Sequence, residues 1–265
     1  MTFYGQEKWI CEPNALKRWA YRLLGEVHVP GRLRAAYIRR EIRRLGLNKR
    51  AIRVLDAGSG RGDLAIHLAK QCPGWYVVGL ELDPRKVANS QAIAGIEDLD
   101  NVEFRTESLE NLRAESEFDL IINADVMEHI QDDRKVLAVL CRALKPGGHI
   151  ILTSPSIPQR KHLWLVRWRE QRIGFDPSDY GHVRDGYSRE DLEEKFRSAG
   201  ARVERSYLTF GFFGTLAFDL FFVIGDNQPH PVVFALLFPF LMLLAALDMI
   251  FPTRTGSAIL AVASK

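Results

Sequence analysis

Several features that would fix a class at once are scarce or missing in this chain. Cysteine is rare: Cys11, Cys72 and Cys141 stand far apart and are odd in number, with neither a CxxC pair nor a Cys/His metal spacing. No disulfide framework can be read from them, and a reducing compartment is expected. Net charge is small, +3 over 265 residues, and does not by itself indicate a nucleic-acid partner. The opening stretch MTFYGQEKWICEPNALKRW carries Glu7, Lys8 and Glu12 and has no continuous apolar core, so no secretory signal is expected. Internal repeats are absent. Lysine and arginine vanish altogether between Gly211 and Phe251, although 13 of them, against 4 acids, crowd the segment from Met1 to Arg53. The chain therefore has a basic head and an apolar tail.

Between these ends the hydrophobic pattern alternates. Apolar runs at AIRVLDAG, WYVVGLEL, NVEFRTES, FDLIINA and HIILTSP read as strands, the first, second and fourth followed closely by a helical pattern or its cap. Asp83 with Pro84 is a helix start, Lys145-Pro146-Gly147-Gly148 is a helix stop, and Ser188 is expected to cap the helix REDLEEKFRSAG. Near-continuous apolar strands joined by helices predict an α/β domain with a mostly parallel sheet covered on both faces. Its ligand would lie at the carboxyl ends of the strands. Helices within 1–52 form a basic extension, 53–265 the main domain, and 211–256 an apolar insertion.

At the end of the first strand, Asp56-Ala57-Gly58-Ser59-Gly60-Arg61-Gly62 places three alternate glycines where a ligand can approach the main chain. The spacing GxGxG differs from the GxGxxG of dinucleotide enzymes. Glu81, 19 positions beyond Gly62, ends the second strand, where a carboxylate can accept from both hydroxyls of a ribose.

These residues, Val54 to Gly62 and Gly79-Leu80-Glu81-Leu82-Asp83, followed by Leu144-Lys145-Pro146-Gly147-Gly148, resemble class I S-adenosylmethionine-dependent methyltransferases. The resemblance covers roughly Arg53 to Lys161 in register. It implies a Rossmann-like three-layer sandwich, a seven-stranded sheet with an antiparallel last strand. S-adenosyl-L-methionine is the implied cofactor. Its methionine part would lie near Asp56 and Gly58, its ribose at Glu81 and its adenine at Glu107 and Ser108, with Ser59, Gly60, Gly62, Leu82 and Asn123 as further cofactor contacts. The last two strands, ARVERSYLTF and SAILAVASK, would pair as a hairpin across the 46-residue insertion.

The methyl acceptor should pass the segment Asn123 to Ile130. Transfer from a sulfonium is an in-line displacement, so the acceptor must be aligned at roughly 3 to 3.5 Å with a free lone pair. For a hydroxyl acceptor His129 is the expected base, with Glu128 beside it; a purely structural role for this pair, capping and holding the loop, is the competing reading. Asp125, Glu128 and His129, with His182 from afar, also have a spacing similar to the metal-binding E-x-x-E-H of small-RNA 2′-O-methyltransferases and quinone-pathway O-methyltransferases. Asp125 is one methylene shorter than the first glutamate there, and the reading without a divalent metal is preferred. The stretch Asp176 to Ser188 resembles the segment after strand five in quinone-pathway enzymes, which brings Tyr180, His182 and Tyr187 forward as acceptor contacts.

Within 211–256, Phe212 to Ile224 and Val232 to Leu247 read as a helical hairpin. Pro239 inside and Asp248 at the end of the second run make it a poor membrane span. Three uses remain open: a lid or membrane-dipping hairpin for a lipophilic acceptor, a homodimer contact, and plain core packing. The expectation is a cytoplasmic enzyme, peripheral on the inner face of a membrane, that methylates a small lipophilic acceptor at oxygen. RNA methylation would use the arginine-rich head but leaves the apolar insertion without a role. A non-catalytic, membrane-anchoring subunit is the alternative outside enzymes.

Overall fold

A computed structural model of the chain describes residues 4–173, 181–224, 231–251 and 254–265. Tyr180 lies outside the described residues. The body is built from strands β1 (Ile52–Ala57), β2 (Trp75–Glu81), β3 (Val102–Thr106), β4 (Phe118–Ala124), β5 (Leu144–Pro155), β6 (Arg202–Thr209) and β7 (Ala258–Ser264), in the order β3-β2-β1-β4-β5-β7-β6. All pairings from β3 across to β5 are parallel, and β7 runs antiparallel to both β5 and β6. The seven-stranded Rossmann-like sheet and the late hairpin expected from the sequence are both present.

Alternation along the strands makes three layers. Val54, Val77, Leu120, Ile122, Ile151 and Val262 face one core, while Leu55, Val78, Ile121, Ile150, Leu152 and Ala261 face the other. Each valine, leucine or isoleucine among them contributes roughly 1.5 to 3 kcal/mol by leaving water. Helices α1 (Ala15–Leu24), α2 (Val29–Arg44), α3 (Asp63–Gln71), α4 (Pro84–Ile96), α5 (Asp133–Ala143), α6 (Trp164–Ile173), α7 (Arg189–Ser198), α8 (Phe212–Ile224) and α9 (Pro231–Ile250) complete the described elements. The first core takes side chains from α2, α3, α4, α8 and α9, the second from α5 and α7. Asp83 caps α4 by accepting from Arg85 N, and Ser188 caps α7 by accepting from Asp191 N, as their positions in the sequence predict.

Two features depart from a simple reading of the ends. The arginines of α2 do not form one solvated cationic face. Glu41, fully buried, accepts from Arg44 and Arg205 and from Tyr207, while Arg39 meets His67. Two acids of the insertion are pins. Buried Asp248 of α9 accepts from Tyr37 Oη at 2.6 Å and Gly214 N at 2.8 Å, tying the hairpin to α2. Buried Asp219 of α8 accepts from His162 N and Leu163 N, fixing the start of α6. Both carboxylates serve main-chain donors that would otherwise be left without partners. Among the described residues, no helix is long and apolar enough to cross a membrane.

Candidate active site

Because β1, β2, β3 and β4 run parallel, their carboxyl ends open on one side of the sheet, where a cavity of about 780 Å³ is lined by Asp56, Gly58, Ser59, Gly60, Glu81, Leu82, Glu107, Ser108, Asp125 and His129. One end of this cavity is made by the turn after β1. Gly58 and Ser59 both donate their N–H to Leu80 O, and Gly62 N closes the turn on Ser59 O. Gly58 has φ +89°, and a β-carbon there would sit 2.4 Å from Val126 Cγ2. Gly60 has φ +55° and faces open space. Gly62 does not line the cavity; it is the residue before α3, and a β-carbon on it would strike Ser90 and Phe104.

Asp56 is 2% exposed, and Oδ2 has no hydrogen-bond partner. Burial pushes its carboxyl up to about 7, against a main-chain hydrogen bond from Ala65. Glu81 is held from two sides: Oε2 accepts from Gly60 N at 3.0 Å and Oε1 from Asp83 N at 3.1 Å. A carboxylate oxygen has two lone pairs, so both oxygens can accept once more. Glu107 N donates to Glu81 O, bringing the loop after β3 alongside, and Ser108 Oγ accepts from Glu110 N, capping a short 3-10 turn. Asn123 is fully buried and does not line the cavity; its Nδ2 donates to Ala57 O and fastens β4 to β1.

The opposite wall follows β4. Asp125 takes φ +54°, which a short polar side chain tolerates, and its carboxylate accepts from Thr153 Oγ1 and pairs with Arg34 of α2. A short 3-10 turn, Met127–His129, carries Glu128 inward and His129 outward. Glu128 accepts from Ser154 Oγ, and burial, with the nearby Asp125 charge, raises its carboxyl pKa. His129 Nδ1 lies 3.1 Å from Gly181 O. A carbonyl only accepts, so Nδ1 carries the proton in the neutral ring, and Nε2 keeps a lone pair.

His182 packs edge-on to His129 with ring centroids 4.6 Å apart, and burial, then His129, lowers its pKa. Glu128, His129 and His182 offer ligand atoms within 4.8 Å of one another, while Asp125 is engaged by Arg34 and Thr153. Tyr187 is buried and sits away from the cavity, with its hydroxyl 2.7 Å from Asp133 Oδ2 and 3.1 Å from Met127 O. Arg184, which the sequence did not bring forward, donates to the oxygens of Met127, Ile130 and Gln131 and pairs with Asp133. The loop after β5 is thereby clipped to the turn that bears His129.

Tyr4 and Arg34 also line the cavity without having been anticipated, and Val126 lines it within the segment expected to meet the acceptor. The target of Arg34 in the β4 loop, Asp125, lies 91 positions away and has no local sequence signal.

The profile of a methyltransferase-domain family matches residues 31–206. A ubiquinone biosynthesis O-methyltransferase of Xanthomonas oryzae pv. oryzae is 29% identical over 154 residues, which span 57% of this chain and 63% of that protein, less than two thirds of its length. In fold, the chain is similar to a protein of Galdieria sulphuraria described as a sarcosine dimethylglycine methyltransferase, with TM-score 0.59 and 18% identity over 87% of this chain and 84% of the other. It is also similar to phosphoethanolamine N-methyltransferase 2 of Haemonchus contortus in complex with S-adenosyl-L-methionine, with TM-score 0.55 and 18% identity over 80% and 48% of the two chains.

Proposed function

The chain belongs to the class I S-adenosylmethionine-dependent methyltransferases, and from that premise we propose that it methylates a hydroxyl of a small lipophilic acceptor. The observation that carries this reading is the convergence on one cavity of Asp56, Gly60 and Glu81 with His129 on the facing wall. The residues fit the donor. Asp56 offers a buried carboxyl oxygen without a partner to an ammonium, Gly60 leaves room for close approach, and Glu81 retains lone pairs for two ribose hydroxyls. Arg34, paired with Asp125 on the facing wall, brings a guanidinium to the same cavity for the carboxylate of the amino-acid part.

When bound, the donor supplies an electrophilic methyl group on a sulfonium. His129 Nε2, free because Nδ1 faces Gly181 O, takes the proton of the acceptor hydroxyl. Glu128, whose carboxyl pKa burial raises, supports the turn through Ser154. No step in this reading needs a metal ion, and turnover is expected to survive chelation unchanged. The relatives named for ubiquinone biosynthesis support an apolar ring-bearing acceptor and transfer to oxygen.

A lipophilic acceptor would be met at a membrane surface, and the exposed side chains support this. Trp164 and Trp168 of α6, Phe212 and Phe218 of α8, and Leu236 and Leu243 of α9 are all exposed, and α6 packs against α8. Exposed aromatics of this kind suit the interfacial layer of a bilayer. Incubation with methyl-labelled donor and separated lipid, small-molecule and RNA pools tests the whole reading. Label is expected in the lipid or apolar small-molecule pool; label in RNA, or none anywhere, overturns it. Flotation with anionic vesicles tests the membrane part, and failure to float with any vesicle removes it.

A further inference from the structure

A second cavity, of about 340 Å³, lies where α2, α3 and α9 meet. That is at the small end of the roughly 300 to 1,000 Å³ of pockets that hold small molecules. Its apolar wall is Leu33 and Ala36 from α2 and Met242, Ala245, Ala246 and Met249 from α9. On each helix these residues recur three or four apart, so each helix presents one continuous face. The alanines leave space that larger side chains would fill, and the unbranched methionines can adjust to an occupant.

The polar edge is unusual for so apolar a space. Arg32, Arg39 and His67 line it. Arg32 donates to the main-chain oxygens of Leu24 and Glu26, and Arg39 faces His67 Nε2 at 3.0 Å. Among the described residues, neither arginine forms an ion pair with a carboxylate. An arginine only donates, so Nε2 of His67 must accept and its proton must sit on Nδ1. That Nδ1 is buried and has no hydrogen-bond partner, in a residue only 1% exposed. Burial, with Arg39 and Lys70 nearby, lowers the His67 pKa to about 4, so the ring stays neutral. Nδ1 lies out of reach of the cavity, but two desolvated arginines without a carboxylate partner at the edge of so apolar a space call for an anionic oxygen group.

We propose that this cavity is a second ligand site, separate from the strand ends, that takes an amphiphile with a carboxylate or phosphate head at Arg32 and Arg39 and an aliphatic chain along Met242, Ala245 and Met249. Tyr4 lines both cavities and stands between this site and the larger one. The site is independent of the methyl-transfer reading, and its test needs no methyl donor.

The experiment is a calorimetric titration of the full chain with dodecanoate, dodecyl phosphate and dodecanol below their aggregation limits. At least one anion is expected to bind one-to-one, about tenfold or more tighter than the alcohol, and the two anions compared with each other identify the head group. Arg39→Gln should weaken the anion about tenfold and leave the alcohol unchanged, with Arg39→Lys recovering part of the loss. Ala246→Phe, or Ala245→Leu should the first variant not fold, should remove binding of all three, while affinity for S-adenosylmethionine stays as in the parent. Equal affinity for dodecanol and both anions, or unchanged binding in the filled-cavity variants, overturns the proposal.

Discussion

The two walls of the larger cavity are held in different ways. On the β1–β2 side, Asp56, Gly58, Gly60 and Glu81 lie close in sequence and are positioned mainly by main-chain hydrogen bonds: Gly58 and Ser59 to Leu80 O, Glu81 to Gly60 N and Asp83 N. On the β4–β5 side, His129 and Asp125 depend on side chains from remote segments, Arg34 of α2, Thr153 of β5, and Arg184 with Tyr187 from the loop beyond. A wall made from backbone tolerates little change in residue type but needs no distant partner. A wall made from side chains can be retuned by changing those partners, and this suits the side that meets the acceptor.

The largest effect is expected where the walls touch. Gly58 has no room for a β-carbon beside Val126, and its φ of +89° is strained for any other residue. Gly58→Ala should therefore weaken S-adenosylmethionine binding by on the order of 100-fold or more and lower stability by about 1 to 3 kcal/mol, read by calorimetry and thermal unfolding. Val126→Ala in the same chain relieves the clash but not the strain, and should restore only part of the affinity. Full binding by Gly58→Ala alone would mean that the two walls are not in register as described.

Next comes the acceptor wall taken alone. His129→Ala should lower kcat by about 100-fold, the low end for loss of a general base, with donor affinity within about threefold of the parent. If kcat is unchanged, the pair Glu128-His129 only holds the loop. Arg184→Gln breaks the clip without touching the cavity, since the guanidinium bonds the oxygens of Met127, Ile130 and Gln131. A misplaced base costs less than a missing one, and kcat should fall about tenfold with donor affinity again unchanged. Loss of donor affinity in either variant would erase the division between the walls.

The same difference explains which parts could be read from the sequence. The strands, the caps at Asp83 and Ser188, and the turn with Glu81 follow from local pattern, because period-two apolar runs and glycines at a turn carry their own physical cause. Asn123 and Tyr187 were read as ligand contacts because they stand beside the right strands. They are buried instead, one binding β4 to β1 through Ala57 O and the other joined to Asp133. Charge counts in the basic head do not reveal that Glu41 lies buried among the arginines of α2 or that Arg34 pairs with Asp125. Pairings of this kind span long stretches of chain, and no periodicity announces them.

The smallest effect concerns the backbone-built wall with no ligand bound. Asp56 keeps a carboxyl in a buried place without a partner for Oδ2, and its pKa stands near 7 in the folded chain against 3.8 as the ordinary value. The folded state then holds a proton that the unfolded chain gives up between those two values, so this residue makes the unliganded protein less stable as pH rises from about 4 to about 7, with no further change above. Asp56→Asn removes that dependence. Its unfolding temperature, measured without donor, should gain on the parent by about 6 °C between pH 4.5 and pH 7.5, while its affinity for S-adenosylmethionine falls. A gap that stays constant across this range would show that Asp56 is ionised throughout and already has a partner. The gain in stability at a cost in binding is the behaviour expected of a group kept at the strand end for a cationic ligand, and Asn123, which fastens two strands, should show the opposite: Asn123→Ala is expected to lose stability at every pH.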